Sequence, residues 1–485
     1  MRILYVTHDF LAPDLALRLK DEGHEVLLAA KNKNIDALKG TIRRVPYGKR
    51  LEVAKISDLI IYDEREGDEP SNLRKQGLSV IGGDKKTVKL ELDRIVSNKA
   101  VESVGILVPK VFPVKDLEDA KSFILEKKGK WVLKQMGKLD GIKGLNSVAK
   151  MDDSEDVVAY IDFLLGIWPK EIKQDFVLQE KIEGHEFACG SYWNGKEFMR
   201  DADGDEICEE NWEHKPLFPG NLGESTGEQF TVMHYVKAKD SKLFMETLDK
   251  CRPILEKIDY RGDFDINCIV NEKGVYFLEF TPRMGVPATS AQIAIHKNHW
   301  GDFLKAIADG EQIPFEYNEG YCIVSWLYTK PFPAIHIDGN NDNKKAGNDD
   351  ESIFIKMSQL LGNSYGMPVL FKEKLSKDDL KNIHLDGVYI DNGNLFVANQ
   401  DGYVLTVTGI SETVDESADK VEELLRKIIV PKGFWRNDFK ESNYHKSKDD
   451  LIKWGYLNES PSKESKDNEE RSLIRDEIKK LFKSN

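Results

Sequence analysis

The sequence has few cysteines, no long apolar run and no targeting segment, and each of these absences excludes a class of protein. The five cysteines are dispersed over 485 residues without a CxxC pair, a pattern typical of reduced thiols rather than of disulfides or a zinc site. No apolar run approaches the roughly 20 residues that cross a membrane. The N-terminus, MRILYVTHDF, enters a predicted strand at once and is unlike a signal peptide. We therefore expect a cytoplasmic protein with no membrane partner.

Basic residues are in the minority, with 70 lysines and arginines against 84 aspartates and glutamates, and the net charge is −14. No long basic block occurs outside the C-terminal tail, so we do not expect nucleic acid as a partner. What is present is the composition of a globular protein, 40% hydrophobic and 32% charged. The length is sufficient for three or four domains with a substantial core.

The N-terminal part alternates between short apolar runs and helical patterns. Predicted strands cover Arg2–Thr7, Glu25–Ala30, 56–62 and Leu78–Ile81, with a helix over Leu11–Glu22. This alternation predicts a small α/β domain with a parallel sheet. The first strand-to-helix turn, HDFLAP, has no glycine, so the dinucleotide fingerprint is missing and we do not expect NAD binding.

The most informative stretch is residues 260–291, YRGDFDINCIVNEKGVYFLEFTPRMGVPATSA, which is typical of two strands joined by a turn. Glu279 interrupts the apolar run of the second strand, the alternation puts Thr281 on the same face, and Arg283 follows. A carboxylate in an apolar strand costs free energy unless it is paired. One interpretation is an ion pair between Glu279 and Arg283. The other is a set of oxygen ligands for Mg²⁺ beside an arginine for an anionic substrate.

A second candidate site is the glycine- and lysine-rich segment 135–145, QMGKLDGIKGL, which follows a predicted strand ending at Lys134. Glycines let backbone N–H groups approach an anion, and lysine adds a point charge for phosphates. The pattern GxxxxGK[ST] is missing, so the segment is not a Walker loop. It is either a phosphate-binding loop or a solvated hairpin.

Six segments in a fixed order resemble motifs of the ATP-grasp superfamily and, within it, of the phosphoribosylamine–glycine ligase family. The segments, each with the family pattern that it resembles, are 132–144 (VKADGLAAGKGV), 179–186 (EEFLxGEE), 219–223 (GPNTGG), 260–285 (YRG…LEFNxRFGDPE), 402–409 (GRVLxVTAxG) and 434–438 (YYRRDI). Each motif alone is weak, and it is their common order that identifies the family. The resemblance covers about residues 1–440.

The resemblance implies a multidomain protein of mixed α/β and α+β class. We expect an N-terminal parallel α/β domain over 1–92 and a central ATP-grasp domain over 93–315, with the nucleotide between its two subdomains. A β-rich C-terminal domain is expected over 316–440. Residues 441–485 are expected to form a charged tail, to which we assign no role.

The resemblance also implies an activity. Such a ligase transfers the γ-phosphoryl group of ATP to a carboxylate, and an amine then displaces phosphate from the acyl phosphate. For this family the pair is glycine and phosphoribosylamine, in purine biosynthesis, with ATP and Mg²⁺ or Mn²⁺ as cofactors. Charge builds on phosphoryl oxygens, so the protein has to supply cations and positioning rather than a nucleophile. The partners implied are these small molecules, and nothing in the pattern specifies an oligomeric state.

Single residues acquire expected roles from the same resemblance. The expected nucleotide contacts are Lys99 and Lys134 at the α/β phosphates, Lys143 and Gly144 in a closing loop, Glu180, Lys181 and Ile182 as an adenine hinge acting through backbone groups, and Glu186 at the ribose hydroxyls. The expected metal ligands are Glu279, Asn267 in the strand opposite it, and Thr281 at the position of the family's asparagine. Asp265 is a reserve ligand. Arg283 is expected to steady the carboxylate or the transferring phosphoryl group.

The chain departs from the family at its substrate end. The family's GSGGREHAL is replaced by THDFLA at 7–12, its metal-binding asparagine by Thr281, and the acid pair of GDPE by Val286 and Ala288. We expect these changes to make the substrate end less acidic and more apolar. Four interpretations stay open: the purine-pathway ligase itself, an ATP-grasp ligase with another carboxylate and amine, a kinase that stops at the acyl phosphate, and a nucleotide-binding protein without turnover.

Overall fold

The computed structural model describes residues 1–32, 36–136, 145–332, 363–399 and 401–458. Lys143 and Gly144 of the expected closing loop, and the part of the expected tail from residue 459 onward, lie outside the described residues. None of the helices within the described ranges is long and apolar enough to cross a membrane.

The N-terminal part is a five-stranded sheet with helices. Its elements are β1 (Arg2–Thr7), α1 (Pro13–Asp21), β2 (Glu25–Ala30), β3 (Arg43–Arg44), α2 (Arg50–Ala54), β4 (Leu59–Tyr62), α3 (Glu69–Arg74) and β5 (Val80–Ile81). The strand order is β3-β2-β1-β4-β5 and every neighbouring pair is parallel. The three central strands, β2, β1 and β4, are mainly apolar and mostly buried, as in parallel sheets covered by helices. The predicted parallel α/β unit is therefore confirmed.

Two helices and a four-stranded antiparallel sheet follow. The elements are α4 (Lys85–Leu92), α5 (Arg94–Ser103), β6 (Val111–Pro113), α6 (Leu117–Glu126), β7 (Trp131–Gln135), β8 (Ser147–Val148), α7 (Glu155–Ile167) and β9 (Phe176–Glu180). The strand order is β6-β9-β7-β8. The 88–104 region contains the end of α4 and all of α5. Asp93 causes the break, because it has extended backbone angles and its carboxylate caps α5 by accepting from the N–H groups of Ile95 and Val96.

The central part is dominated by long antiparallel strands. The elements are β10 (His185–Trp193), β11 (Ile207–Phe218), β12 (Leu222–Lys237), α8 (Lys242–Glu246), α9 (Arg252–Leu255), β13 (Gly262–Asn271), β14 (Gly274–Thr281), α10 (Ala288–Ile295) and α11 (Trp300–Asp309). The motif at 219–223 lies at the tip of the β11–β12 hairpin. The region 239–257 contains two short helices, with Pro253 in the first turn of α9, where proline is tolerated.

The C-terminal part completes the central sheet and adds a smaller one. The elements are β15 (Tyr321–Tyr328), β16 (Pro368–Phe371), α12 (Lys377–Lys381), β17 (Ile383–His384), β18 (Val388–Asp391), β19 (Asn394–Val397), β20 (Tyr403–Ser411), α13 (Val414–Lys427), β21 (Ile428–Ile429) and α14 (Asn443–Lys453). The large sheet has the order β14-β13-β10-β11-β12-β15-β20-β17, and the small sheet β18-β19-β16-β21. The large sheet thus continues across the domain boundary expected at 315/316, which stays a prediction.

Helices α10 and α11 connect the large sheet to the N-terminal sheet. Trp300 at the start of α11 is fully buried, and the carboxylate of Glu22, just after α1, accepts from the N–H groups of Trp300 and Gly301 at 2.9 and 3.0 Å. Gln292 of α10 reaches the large sheet and donates to Glu209 at 2.9 Å. One face of the large sheet is therefore covered by these helices, and the expected metal ligands lie on that face.

Candidate nucleotide and metal site

Strands β13 and β14 bring the expected metal ligands together. Asn267 lies directly opposite Glu279, and Asp265 lies opposite Thr281. Residues directly opposite in an antiparallel pair project from the same face with Cβ atoms about 5 Å apart. The register shifts after Asn267 and leaves Leu278 as an extra residue in β14, and such a bulge bends a strand. The register therefore gathers all three expected ligands, with the reserve residue, on one face.

Strand β10 lies between β13 and β11 and carries small residues there. Ala188 is paired with Asn267, and Gly190 is paired with Asp265. A Cβ atom added to Gly190 would lie 2.8 Å from Oε1 of Glu209, which is closer than real Cβ atoms approach. The absence of a side chain at Gly190 therefore lets polar side chains of β11 and β13 meet across β10.

A lysine of β11 lies at the centre of this polar face. Nζ of Lys215 is 2.7 Å from Oε1 of Glu186 and 2.7 Å from Oε2 of Glu213. The same nitrogen is 3.2 Å from Oε1 of Glu279. The amide of Asn267 donates to Glu186 at 3.0 Å and to Glu213 at 2.7 Å. We refer to these five residues, Glu186, Glu213, Lys215, Asn267 and Glu279, as the cation cluster.

Opposite charges set the protonation of the cation cluster. The ammonium of Lys215 is the main reason that the pKa of Glu279 is lowered to about 2. Burial lowers the pKa of Lys215, but the charges of Glu186, Glu213 and Glu279 outweigh burial and raise that pKa well above its usual value. Burial raises the pKa of Glu213, and Lys215 opposes this. The cluster therefore combines a permanent ammonium with a Glu279 that stays ionised over the whole physiological range.

Two more cations face the cation cluster from other elements. Nη1 of Arg94 donates to the carbonyl of Leu278 at 3.2 Å, and Arg94 lines a small cavity together with Gln135 and Glu279. Burial, followed by the charge of Arg94, lowers the pKa of Lys134 to about 7. Positive charge from α5 and β7 thus stands opposite the carboxylates of the sheet.

Lys99 lies on α5 but on a different face from Arg94. The two residues are five positions apart, which is about 140° around an α-helix. Arg94 and Ser97 line the small cavity, whereas Lys99 is exposed. The structure therefore brings Arg94, rather than Lys99, next to the expected metal ligands.

Arg283 forms its ion pair with Glu91. Nε of Arg283 donates to Oε1 of Glu91 at 3.0 Å, and Arg65 lies 3.2 Å from the same oxygen. Burial lowers the pKa of Arg283, but the charge of Glu91 outweighs it and raises that pKa. The interpretation of Glu279 as the ion-pair partner of Arg283 is wrong, because the partner of Glu279 is Lys215.

The expected adenine hinge lies where β9 ends. The N–H groups of Glu180 and Lys181 donate to the carbonyls of Lys110 and Lys130, both at 2.9 Å. Nζ of Lys181 donates to the carbonyl of Ala149 at 3.0 Å. Two of the backbone donors expected to meet adenine are therefore already bonded within the chain, while Ile182 follows them half-buried.

Acidic residues from two other elements line the cavity beside Val286. Asp14 of α1 and Asp386, between β17 and β18, border this cavity together with Ser290. Oδ2 of Asp386 accepts from Oγ1 of Thr406 at 2.7 Å, and burial, followed by the charge of Asp14, raises the pKa of Asp386 to about 7. Distant segments therefore place two acids beside Val286, and the expectation of a less acidic substrate end stays a prediction.

Lys215, Glu213 and Arg94 are the members of the site that the sequence analysis missed. In β11, Glu209, Asn211, Glu213 and Lys215 alternate with other residues, and this period of two puts them on one face of a strand. That alternation is a signal that could have found Lys215 and Glu213. No comparable pattern in the sequence indicates Arg94, because the face of α5 that turns inward is determined by the helix break at Asp93.

Comparisons with known proteins agree with the family that the motifs indicate. No family model matches the chain. A curated phosphoribosylamine–glycine ligase of Pyrococcus abyssi is 23% identical over 279 residues, covering 55% of this chain and 60% of that protein. The corresponding ligase of Methanocaldococcus jannaschii is 24% identical over 387 residues, covering 76% of this chain and 77% of that protein. The chain therefore spans about three fifths of the first relative and about three quarters of the second.

A solved structure gives the same result for the fold. The crystal structure of a phosphoribosylamine–glycine ligase from Thermotoga maritima superposes with a TM-score of 0.63 at 19% identity, covering 90% of this chain and 100% of that one. This likeness confirms the mixed α/β multidomain fold. The resemblance to phosphoribosylamine–glycine ligases is confirmed by the sequence relatives as well.

Proposed function

We propose that this chain is an ATP-dependent ligase that joins a carboxylate to an amine through an acyl phosphate. The observation that carries the proposal is the cation cluster, where three carboxylates converge on one positive charge with Lys134 and Arg94 opposite them. The similarity to phosphoribosylamine–glycine ligases makes glycine and phosphoribosylamine the first pair to test. The product would be glycinamide ribonucleotide, an intermediate of purine biosynthesis.

The donor set of the cation cluster fits Mg²⁺ or Mn²⁺. Such ions prefer carboxylate and amide oxygens, which Glu279, Glu213 and Asn267 supply. Oδ1 of Asn267 is buried and has no hydrogen-bond partner among the described residues, so it is an acceptor that a bound cation would satisfy. Thr281 adds a neutral oxygen on the same face. When bound, the metal ion would neutralise charge on the β- and γ-phosphates of ATP.

The cations opposite the cluster suit the phosphates of ATP. The lowered pKa of Lys134, about 7, means that an anion bound beside it would favour the charged ammonium. Arg94 is charged at every accessible pH and is proposed as a second phosphate contact. Lys99 stays a proposed contact of the α/β phosphates, although it is exposed. Lys143 and Gly144 keep their proposed role in a loop that excludes water from the acyl phosphate.

The other nucleotide contacts are proposed with one change. Glu180, Lys181 and Ile182 keep their place as the adenine hinge, since they join β9 to the strand that carries Glu186. The contacts of Glu186 with Lys215 and Asn267 support a role beside the metal more than one at the ribose.

The proposed reaction needs no nucleophile from the protein. A carboxylate oxygen of the substrate takes the γ-phosphoryl group of ATP, so that ADP leaves and an acyl phosphate forms. The amine nitrogen then attacks the acyl carbon, phosphate leaves with the electrons of the broken C–O bond, and the amine loses a proton. Side chains of the protein position the reactants and stabilise their negative charge. Lys134 and Arg94 do so at the phosphoryl oxygens and Arg283 at the substrate carboxylate.

A second candidate is an ATP-grasp ligase with a different carboxylate and amine. The observation that favours it is the cavity beside Val286, where Asp14 and Asp386 come from segments other than the one that carries the acid pair in the family. A nucleotide-binding protein without turnover remains the third candidate, and the weak metal ligand at Thr281 favours it.

The experiment that tests the proposal measures ADP release from Mg-ATP over a panel of carboxylates and amines. Release that requires glycine together with phosphoribosylamine supports the purine ligase, and release with another pair supports the second candidate. Release with a carboxylate alone, unaffected by amines, identifies a kinase instead. Measurable ATP binding with no ADP release from any pair overturns the ligase proposal.

A further inference from the structure

A cavity of about 560 Å³ lies between α1, the C-terminal end of α10, β20 and the helices α12 and α13. Binding sites for small molecules have volumes of about 300–1,000 Å³, so this cavity is large enough for a metabolite. Its walls include the polar side chains of Asn318, Asn382 and Thr408 and the apolar side chains of Ile293 and Leu424. We refer to it as the α12–α13 cavity.

The α12–α13 cavity is separate from the cation cluster. No member of the cluster borders it. Thr408 and Ile410 of β20 line the cavity, and β20 is six strand positions from β14, which carries Glu279. At about 4.8 Å for each position, the path along the sheet is roughly 29 Å. A ligand of this cavity is therefore a different molecule from the nucleotide at the cluster, and the inference does not depend on the proposed ligase activity.

The charges around the cavity leave cations without carboxylate partners. Lys427 is satisfied, since Asp379 and Glu423 each lie 3.1 Å from its Nζ. Lys420 instead donates to a backbone carbonyl at 2.6 Å. Within the described part of the chain, no carboxylate lies at ion-pair distance from Lys420 or Lys381. Two of the three acids that border the cavity, Asp379 and Glu423, are thus paired with Lys427. The third acid, Asp378, and the ammonium groups of Lys381 and Lys420 form no ion pair among the described residues.

Arg18 of α1 adds a third cation whose hydrogen bonding is incomplete. Its Nε is buried and has no hydrogen-bond partner among the described residues. The nearest acid is Glu22, with Oε1 at 3.5 Å from Nε, but both oxygens of Glu22 already accept from the N–H groups of Trp300 and Gly301. The side chain of Arg18 as a whole is 42% exposed, so the rest of its guanidinium group is able to meet an anion in the cavity.

We propose that the α12–α13 cavity binds a small phosphorylated molecule, with its phosphate held by Lys381, Lys420 and Arg18. Lysine supplies point charges and arginine a planar fork of donors, and both suit phosphate oxygens. The apolar side chains of Ile293 and Leu424 provide a surface for the organic part of the ligand. The local surplus of positive charge is notable because the whole chain carries a net charge of −14.

The proposal is tested by titrating the whole protein with AMP, and with adenosine as its uncharged counterpart, by isothermal calorimetry. The double variant Lys381→Glu/Lys420→Glu should weaken one component of AMP binding roughly tenfold or more, because two attractive charges become repulsive. Lys377→Glu is the matched control, since this exposed lysine lies on α12 outside the cavity lining. Lys134→Ala, in the nucleotide cleft, should leave that component unchanged.

Three results would overturn the proposal. The first is AMP binding that is the same in the wild type and in the double variant, with both showing the same urea midpoint. The second is adenosine binding as tightly as AMP. The third is AMP binding that disappears completely in Lys134→Ala. The readout is binding rather than turnover, so a failure here leaves the ligase proposal intact, and an inactive ligase leaves this test intact.

Discussion

Two groups of carboxylates lie on the same face of the large sheet, and the pKa of Glu279 in one group is shifted in the opposite direction from the pKa values of Glu209 and Asp263 in the other. In the cation cluster, Lys215 lowers the pKa of Glu279 to about 2. A few residues along the same strands, Glu209 and Asp263 share the amide N–H groups of Gln292 at 2.9 Å each. There burial is the main cause, and it raises the pKa of Glu209 to about 8 and that of Asp263 to about 7.

The difference between the two groups is one ammonium. Among the residues that the structure describes, no lysine or arginine forms an ion pair with Glu209 or Asp263, whereas Lys215 contacts three acids of the cation cluster. A buried carboxyl without a cation tends to bind a proton, and one beside a cation stays ionised. Metal ligands have to be deprotonated, so Lys215 keeps Glu279 in the form that binds a metal ion, whereas at Glu213 burial outweighs Lys215 and raises the pKa.

The change expected to have the largest effect removes the ionised carboxylate itself. Glu279→Ala should lower the rate of ADP release by about a thousandfold or more, because no other residue of β14 supplies an anionic metal ligand. ADP release from Mg-ATP with the best substrate pair is the measurement. Glu272→Ala, in the exposed turn of the same hairpin, is the control and should retain wild-type activity. Full activity of Glu279→Ala would mean that the metal assignment is wrong.

The second change removes the ammonium from the cation cluster, so that its carboxylates come to resemble Glu209 and Asp263. Lys215→Met keeps much of the side-chain volume but leaves three carboxylates without a cation, so the free energy of unfolding should fall by roughly 1–3 kcal/mol. Activity should fall by about a hundredfold. Mg²⁺ should raise the melting temperature of this variant more than that of the wild type, since a divalent ion can replace the lost charge.

Urea denaturation and thermal melting, with and without Mg²⁺, measure both effects. Lys273→Met, exposed in the β13–β14 turn, is the matched control and should show neither. A Lys215→Met protein with wild-type stability and no added response to Mg²⁺ would contradict the view that Lys215 is the cation that keeps these acids ionised.

The third change tests whether Arg94 or Lys99 is the residue of α5 that faces the cation cluster. Arg94→Ala should weaken ATP binding about tenfold or more, because Arg94 faces Glu279 and Lys134. Lys99→Ala should change it less than about threefold, since Lys99 is exposed on another face of the helix. Equilibrium binding of ATP in the presence of Mg²⁺ compares the two variants. A larger effect of Lys99→Ala than of Arg94→Ala would mean that Lys99, and not Arg94, makes the main phosphate contact of α5.

Two strands and one strand pairing could be predicted from the local sequence pattern alone. The strands at Arg2–Thr7 and Glu25–Ala30 agree with the structure residue for residue, because apolar runs with clear ends depend little on distant contacts. The pairing of Asn267 with Glu279 was likewise predictable, since two strands and a short turn determine their register. These features account for part of the parallel N-terminal sheet and for one edge of the candidate site.

The rest of the site depends on contacts that a single sequence does not display. Glu186 and Lys215 are 29 positions apart and meet only because β10 and β11 pair in the large sheet. Asp14 and Asp386 come from opposite ends of the described chain and meet at one cavity. The ion pair of Arg283 with Glu91, 192 positions away, is of the same kind. Long-range pairing of this type is set by tertiary packing, which local propensity does not encode.

The smallest expected effect concerns the second group of acids and is confined to stability. A glutamate has a pKa of about 4.3 in an unfolded chain, whereas burial raises the pKa of Glu209 to about 8 in the folded protein. Between these values the folded state binds a proton that the unfolded state does not. The free energy of unfolding should therefore decrease as the pH rises from about 4.3 to about 8, by roughly 2–3 kcal/mol between pH 5 and pH 7.

Glu209→Gln removes the titrating group, so the free energy of unfolding should vary less with pH than in the wild type and be higher at pH 7. Urea denaturation at pH 5, 6 and 7 measures this, with the exposed Glu272→Gln as a control that should keep the wild-type slope. ADP release should be unchanged, because the group stabilised by Gln292 is not proposed to hold the metal ion. If Glu209→Gln kept the wild-type slope but lost turnover, the two groups of carboxylates would have to be regarded as one functional site, and the contrast between them would fail.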